Sequence, residues 1–203
     1  MNVGIAGVGG IGSNVARLLA QACVQPKLAS PHHLTALSLI LVDQDQVEAG
    51  NLNRQFYTQS QAGASKAQSL KTNLEAISPS LKIQALDRTI GPKDALELFG
   101  HCHLVIEGFD DPAMKKMLME ELSPTGIPLV SASGIAGDKL DRVRVKRLGN
   151  CHIVGDFTSD QDRAPLFPPK VALVTAHMAA IALDILTTQR QKHGGRAPQR
   201  RQP

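Results

Sequence analysis

In the stretch VGIAGVGGIG, residues 3–12, a short apolar run leads directly into a glycine-rich turn. An apolar run of this length, bounded by turn residues, is typical of a buried β-strand. The segment GVGGIG fits the pattern G-x-G-x-x-G between a strand and a helix, in which backbone N–H groups at the helix N-terminus face a phosphate. The stretch therefore predicts the first βα unit of a nucleotide-binding fold, without indicating which nucleotide binds. A tight turn with no ligand is the alternative.

Beyond this unit, short apolar runs alternate with helical patterns, which predicts βαβ units and a mainly parallel sheet. Strands are predicted over residues 3–8, 37–42, 81–86, 104–106 and 127–130, and helices after residue 12, over 67–77, over 93–99 and over 112–122. DRVRVKRL and HIVGDF then predict an antiparallel strand pair, and a long helix over about residues 170–188 closes the fold. The predicted fold class is α/β and Rossmann-like, with helices on both faces of the sheet.

The composition predicts one domain and limits the possible partners. The chain has 203 residues, 42% of them hydrophobic, which is enough for one core over residues 1–189. Residues 190–203 hold five of the 22 Lys/Arg and no acid, so the rest has 17 basic against 18 acidic residues. We expect this basic tail to be disordered and no nucleic acid to bind.

The three cysteines, Cys23, Cys102 and Cys151, form no C-x-x-C pair, so neither zinc nor a disulfide framework is expected. The sequence also shows no signal peptide, because the glycine-rich turn follows Met1 too closely. We expect no membrane span, because no apolar run in the pattern approaches the ~20 residues that a span requires. These features predict a cytoplasmic protein without membrane contact.

Asp43 stands at the end of the second predicted strand, where a carboxylate accepts hydrogen bonds from ribose hydroxyls. A nicotinamide-dependent enzyme would place an acid there too. Asp43 therefore supports an adenosine ribose without separating an ATP site from a dinucleotide site. The neighbouring acids Asp45 and Glu48 are predicted to face solvent or to form the turn.

Two cations separate the hypotheses better. Arg54 lies in NLNRQ, residues 51–55, and Lys66 begins the next predicted helix. Arginine gives bidentate contacts with phosphate and lysine gives a point charge, so two such residues near one helix N-terminus suit a polyphosphate. A hydride-transfer site has little use for both. The alternative is an exposed loop arginine and a surface helix lysine.

Asp110 follows a strand at the edge where ligands of open α/β sheets gather. A carboxylate there could hold Mg²⁺ against phosphate oxygens, because this ion favours one or two carboxylates together with substrate oxygens and water. Asp111 and Pro112 are predicted as the N-cap and first position of the helix that follows.

The combination resembles the ThiF/MoeB family, the bacterial relatives of ubiquitin-activating enzymes. The matching segments are GVGGIGSNVARLLA, LVDQDQVEAGNLNRQFY, GASKAQSLKTNLEAISPS and LVIEGFDDPAMKKMLME. They occur in the family's order over about residues 1–135, and NLNRQ is the most specific. SASGIAG and HIVGDF look like the short ThiF branch, whose members adenylate a ThiS-type sulfur carrier for thiamine biosynthesis.

The resemblance implies a reaction in which the carrier's C-terminal glycine carboxylate attacks the α-phosphorus of ATP, with Mg²⁺ present. It implies catalytic roles for Arg54, Lys66 and Asp110, with Asp110 associated with Mg²⁺. The implied nucleotide-binding residues are Gly7, Gly9, Gly10, Gly12, Asp43, Asn51, Asn53, Arg54, Lys66, Asp110 and Asp111. No general base is needed, because the carboxylate is already ionised. The family also implies a homodimer and a ThiS-like ubiquitin-fold carrier as partner.

The sequence departs from the wider family in three ways. It starts at the first strand, so the family's N-terminal helix, with an arginine that reaches the partner subunit's site, is not expected. The zinc-binding cysteine pairs are absent. No cysteine clearly matches a thioester or persulfide cysteine, and Cys151, the nearest candidate, is predicted to be buried in a strand. An NAD(P)-dependent oxidoreductase and a non-catalytic carrier-binding protein remain the alternatives.

Overall fold

The computed structural model describes residues 1–24 and 37–194, with side chains through residue 189. Its strands are β1 Asn2–Ala6, β2 Ser38–Asp43, β3 Lys82–Asp87, β4 Leu104–Glu107, β5 Leu129–Ala132, β6 Arg144–Leu148 and β7 Cys151–Gly155. They form one sheet in the order β3-β2-β1-β4-β5-β7-β6. Every neighbouring pair is parallel except β6 and β7. The predicted parallel sheet with an antiparallel pair near the C-terminus is confirmed.

Five helices accompany the sheet in the described part of the chain. They are α1 Gly12–Val24, α2 Lys66–Ile77, α3 Asp94–Phe99, α4 Pro112–Leu122 and α5 Pro168–Gly194. On β1, Val3 and Ile5 point into the core formed with α1, α2 and α5. The opposite face packs on α3 and α4, where the ring of Phe99 lies against Gly4. Helices therefore cover both faces, as predicted.

Helix α5 is longer than the sequence pattern predicts. It runs to Gly194, into the segment from residue 190 that is predicted to be disordered, while residues 195–203 lie outside the described part. By length and composition alone, Pro168–Gln189 would suffice to cross a membrane, so the expectation that no apolar run approaches this length is wrong. Val171, Val174 and Met178 are buried against the sheet, which is the packing of a core helix.

The start of α4 follows the predicted capping chemistry. Oδ1 of Asp111 accepts a hydrogen bond from the backbone N–H of Ala113 at 2.7 Å, with Pro112 in the first helical position. This N-cap satisfies a backbone donor that the helix leaves unpaired. It places α4 directly behind Asp110, at the carboxyl end of β4.

Candidate functional site

A cleft of about 1010 Å³ runs along the carboxyl ends of the parallel strands. It crosses the sheet between β1 and β4, where the strand order reverses and where open α/β sheets bind ligands. It is lined by the loops that follow β1, β2, β3, β4, β5 and β7. Of the residues implied above to bind nucleotide, only Gly12 and Asn53 do not line this cleft.

The glycine-rich turn divides into packing and cleft-lining positions. A Cβ on Gly12 would overlap the carbonyl oxygen of Gly7, and one on Gly108 would lie 2.5 Å from the same oxygen. These three glycines therefore let the backbones after β1 and β4 touch. A Cβ on Gly9 or Gly10 would instead meet only ordinary contacts, at 3.7 Å. The lack of side chains at Gly9 and Gly10 keeps the cleft open.

Asp43 is fixed at the end of β2. Its Oδ2 accepts from the backbone N–H of Val8 at 2.7 Å, and its Oδ1 accepts from that of Asp45 at 2.8 Å. Burial raises the pKa of Asp43 above its ordinary value, and these two hydrogen bonds oppose that shift. Each carboxylate oxygen keeps a second lone pair for a ribose hydroxyl. Asp43 is therefore a positioned acceptor, not a solvated loop acid.

Lys66 is buried at the start of α2, with 7% of its side chain exposed, so the alternative of a surface lysine is wrong. Its Nζ lies 2.7 Å from Oδ2 of Asp45. The side chain of Asp45 is 56% exposed, in agreement with the prediction, but its pairing with Lys66 was not foreseen. The pair neutralises a buried cation at the cleft wall. The ion pair holds the ammonium group of Lys66 close to the end of β2.

Arg54 lines the cleft with its guanidinium held by two neighbours. Nη2 donates to Oδ1 of Asn51 at 2.6 Å, and Nη1 donates to Oδ1 of Asn53 at 3.1 Å. Asn51 also lines the cleft, whereas Asn53 is exposed outside it. Asn53 therefore acts here on the orientation of Arg54, and its implied direct contact with nucleotide has no support from its position.

Three residues that the sequence did not single out join the arginine loop to the glycine-rich turn. Nδ2 of Asn14 donates to the carbonyl oxygens of Gly10 and Arg54, both at 2.8 Å. Oγ of Ser13 accepts from the N–H of Phe56 at 3.1 Å. The hydroxyl of Tyr57 donates to the carbonyl oxygen of Val8 at 2.7 Å. Each of these three residues has a partner 40 or more positions away, and no local pattern indicates those contacts.

Asp110 is exposed in the cleft, and within the described side chains it has neither a hydrogen bond nor an ion pair. Asp111 lines the cleft too, but one of its oxygens caps α4. Behind them, the buried carboxylate of Glu107 accepts from Lys115 Nζ at 2.8 and 3.0 Å and from Ser131 Oγ at 2.5 Å. Asp110 thus has both carboxylate oxygens available to a ligand, whereas Asp111 has one.

The side chains that line the cleft fit a Mg²⁺ ion that also binds phosphate oxygens. They do not fit a Mg²⁺ ion held by protein ligands alone. No cluster of three or more His, Cys, Asp or Glu occurs in the part of the chain that the structure describes. A dedicated protein cage is therefore not formed there. Mg²⁺ is commonly bound by one or two carboxylates together with phosphate oxygens and water, and the exposed Asp110 meets that requirement.

Cys151 is buried at the start of β7, as predicted, with 7% of the residue exposed. Burial raises the pKa of its thiol to about 11, and the nearby Glu107 acts in the same direction. Burial likewise raises the pKa of Cys102 to about 11. Because the thiolate is the reactive form, these two cysteines are poor nucleophiles at neutral pH.

A buried ion pair supports the end of the cleft beyond β5 and β7. Nζ of Lys170, in the first turn of α5, lies 2.6 Å from Oδ2 of Asp156, and both side chains are less than 5% exposed. Nζ also donates to the carbonyl oxygen of Ala136 at 2.5 Å. We call Asp156 and Lys170 the clamp, because they join β7, α5 and the loop after β5. The sequence pattern did not indicate it.

Known proteins are similar to this chain. The model of the ThiF family matches residues 1–196. The adenylyltransferase and sulfurtransferase MOCS3 of Dictyostelium discoideum is 31% identical over 132 residues, which are 64% of this chain and 28% of that protein. Ubiquitin-like modifier-activating enzyme 5 of Caenorhabditis elegans is 34% identical over 97 residues, 48% of this chain and 20% of that protein. The chain therefore spans less than a third of the length of these two relatives.

Solved structures share the fold. The E. coli tRNA N6-threonylcarbamoyladenosine dehydratase TcdA in complex with AMP superposes with a TM-score of 0.74 at 19% identity, covering 96% of this chain and 88% of that one. E. coli MccB with ATP gives a TM-score of 0.69 at 18% identity, covering 92% of this chain and 55% of that one. At these identities the similarity shows the fold alone.

Proposed function

The chain belongs to the ThiF family, and from this premise we propose that it uses ATP to adenylate the C-terminal carboxylate of a protein substrate. The observation that carries the proposal is the convergence of Arg54, Lys66 and Asp110 on one cleft with the glycine-rich turn and Asp43. Two cations and one unpaired carboxylate suit a triphosphate with its Mg²⁺ better than a nicotinamide. The relatives named as adenylyltransferases, and neighbours solved with AMP and ATP, support the same class of reaction.

The proposed reaction needs positioning and charge neutralisation. An oxygen of the substrate carboxylate attacks the α-phosphorus, and the bond from that phosphorus to the oxygen bridging to the β-phosphorus breaks. Pyrophosphate leaves with the electron pair, and an acyl-adenylate remains. The carboxylate is already ionised, so no residue has to remove a proton. Arg54 and Lys66 would stabilise negative charge on the phosphates, and the glycine-rich turn would align them.

Asp110 is the residue we propose to hold Mg²⁺. The bound ion would supply positive charge to the phosphate oxygens. Lys66 enters the reaction already paired with Asp45, so a phosphate must compete with that carboxylate for the ammonium group. Because Asp45 is exposed, solvent screens the pair, and the charge-dense triphosphate remains the stronger partner.

A small ubiquitin-fold sulfur carrier of the ThiS type, acting in thiamine biosynthesis, is the substrate we propose. Support comes from the segments SASGIAG and HIVGDF and from relatives named for ubiquitin-like modifiers and sulfur transfer. The proposal includes a homodimer, which sedimentation equilibrium would test against a monomer. Two neighbours of the same fold carry other names, the tRNA N6-threonylcarbamoyladenosine dehydratase TcdA and MccB, which was solved with MccA-N7isoASN. Because the fold does not identify the substrate, the carrier has to be tested directly.

The decisive experiment is exchange of radiolabelled pyrophosphate into ATP, measured with Mg²⁺ and a panel of ubiquitin-fold carriers. We expect exchange that depends on a carrier, together with a carrier mass increase of one AMP. Arg54→Ala, Lys66→Ala and Asp110→Asn should each lower kcat/KM for exchange about 10²-fold, the effect typical of removing one charge-stabilising group. Lys71→Ala is the matched control, because Lys71 lies on α2 like Lys66 but pairs with Glu75 at the surface.

Other outcomes would support the alternatives. Binding of NADH with no exchange would favour an oxidoreductase. Carrier binding without exchange would favour a non-catalytic protein. Exchange that persists in all three variants would show that Arg54, Lys66 and Asp110 take no part in the reaction, whatever the substrate.

A further inference from the structure

The cleft extends past the residues proposed to hold ATP. Asp43, the glycine-rich turn and Asp110 follow β2, β1 and β4, whereas the cleft continues to the loops after β5 and β7. Neighbouring strands lie about 4.8 Å apart, so the loop after β7 is roughly 10 Å beyond that after β4. We call this part of the cleft, lined by residues 132–136 and 157–161 with Leu166 and Val171, the far end.

The far end has a different chemical character. Among the described residues that line it, none is a lysine or an arginine, and Asp160 is the one charged residue. The others are apolar residues, glycine and neutral polar residues. Phosphate binding relies on cations and clustered N–H donors. The far end is therefore unsuited to the triphosphate and suits an uncharged stretch of peptide backbone.

Phe157 in this wall has an unusual backbone. Its φ is +63°, a left-handed conformation that a bulky L-residue adopts only when its surroundings impose it. Its N–H donates to the carbonyl oxygen of Ser133 at 3.2 Å. On its other side, Oδ1 of Asp156 accepts from the N–H groups of Thr158 and Ser159 at 2.8 and 2.7 Å. The clamp with Lys170 fixes the carboxylate that holds this turn.

The ring of Phe157 is held as well. Nζ of Lys146, from β6, lies 4.1 Å from the ring centroid, which is within the range of a cation–π interaction. The half-buried ring lines the cleft at the same time. The backbone of this wall is held by hydrogen bonds on both sides, and the exposed Lys146 adds a cation–π contact to the ring.

We propose that Phe157 is a specificity-determining residue, whose ring restricts the acyl substrate to one that ends in glycine. The inference rests on the proposed adenylation and adds a residue that selects the substrate. A wall whose backbone is fixed disfavours an added methyl group, because the backbone cannot move aside to make room for it. One methyl group in a tight site is worth roughly a 10- to 200-fold change in kcat/KM.

The test compares two forms of a ThiS-like carrier, one with its terminal glycine and one with alanine in that place. We expect wild type to prefer glycine by at least about tenfold in kcat/KM for pyrophosphate exchange. In Phe157→Gly, which permits the positive φ but removes the ring, the preference should fall to about threefold or less, with KM for ATP unchanged. Phe157→Asn is the second variant, because asparagine also tolerates this conformation.

Lys93→Gly is the matched control. Lys93 has a positive φ of 75° but does not line the cleft, so its replacement relieves comparable strain and should leave the preference intact. Unchanged preference in both Phe157 variants would overturn the inference while leaving adenylation in place, as would equal losses for both carriers. If wild type supports exchange with no carrier, the proposed function fails and the inference fails with it.

Discussion

Single glycines decide how closely the two halves of the sheet approach at the ligand-binding edge. The backbone of Gly108, after β4, lies against Gly7 and Gly12, so that the loops after β1 and β4 touch without side chains between them. Gly7 also requires a positive φ of +80°. Gly9, in contrast, lines the cleft, where a Cβ would meet only the side chain of Gln55 at an ordinary 3.7 Å. Two kinds of glycine therefore stand within one short turn, and substitution should distinguish them.

Gly108→Ala should destabilise the fold, because its Cβ would lie 2.5 Å from the carbonyl oxygen of Gly7 and 2.9 Å from the backbone nitrogen of Gly12. We expect a loss of about 1–3 kcal/mol in the free energy of unfolding, typical of overpacking. Gly9→Ala is the matched comparison, with a Cβ at an ordinary 3.7 Å from its nearest neighbour. It should keep wild-type stability but bind ATP more weakly.

Urea unfolding would measure the stability of both glycine variants, and calorimetric titration with ATP would measure affinity. A Gly108→Ala protein as stable as wild type would show that the loops have more freedom than their contacts indicate. Gly9→Ala with unchanged affinity would show that the nucleotide does not approach that part of the turn.

Between elements, the clamp is the most deeply buried of the ion pairs in the described structure. It joins the start of α5 to the end of β7 and to the loop after β5, with both charged groups out of water. Removing one partner of a buried pair is costly, because the other charge is then left uncompensated. The clamp therefore couples the packing of the closing helix to the shape of the far end.

Asp156→Asn should lower the free energy of unfolding by about 3–5 kcal/mol at pH 7. Burial alone would raise the pKa of Asp156, but hydrogen bonds from Lys170 and from the backbone of Ser159 and Thr158 hold it below its ordinary value. A carboxylate with a lowered folded pKa stabilises the fold above its unfolded pKa of about 3.9 and loses that contribution as the pH falls further. The difference between wild type and variant should therefore shrink below about pH 4.

Urea unfolding of both proteins at pH 7, 5 and 3.5 would measure this difference. Asp184→Asn, on the exposed side of α5, serves as the control for carboxylate titration in general. If the difference in the free energy of unfolding between wild type and Asp156→Asn stays constant from pH 7 to pH 3.5, the pairing with Lys170 does not hold the pKa of Asp156 below its ordinary value.

For the molecule as a whole, the cleft gathers loops that are far apart in the chain, so a ligand there should stabilise the entire fold. ATP with Mg²⁺ at 100 times its Kd should add about 2.7 kcal/mol to the free energy of unfolding. For a chain of this size that corresponds to a rise in Tm of roughly 5–10 °C. NADH at the same concentration should give no comparable rise.

Differential scanning fluorimetry would measure these shifts. Arg54→Ala should lose most of the ATP-dependent rise, whereas Lys71→Ala should keep it. A larger shift with NADH than with ATP would contradict the assignment of the cleft to a triphosphate.

The predictable part of this architecture is local in sequence. The glycine-rich turn, Asp43, NLNRQ and the Asp111 cap each carry their signal within a few residues. The structure places Asp43 and Arg54 at the cleft and Asp111 at the start of α4, whereas Gly12 and Asn53 do not line the cleft. The burial of Lys66 was not predictable, because its environment comes from the loop after β2, including Asp45, 21 residues earlier.

The same limit applies to the far end. The strand pair that leads to Phe157 was predicted from alternating residues, but the residue itself carries no mark of a positive φ, which sequence patterns usually assign to glycine or asparagine. Lys170 and Asp156 were read only as the start of a helix and the end of a strand. Their pairing depends on how α5 returns to the sheet, and tertiary packing decides that.

Asn14 carries a final consequence for affinity. Its amide group ties the carbonyl oxygens of Gly10 and Arg54 together, and Tyr57 and Ser13 secure the same two segments. Ordering one residue of a free loop costs about 1–2 kcal/mol in conformational entropy. Here the loop that bears the arginine is already ordered by folding, so that loss does not recur each time a nucleotide binds. Asn14 thus raises the affinity for the nucleotide without having to touch it.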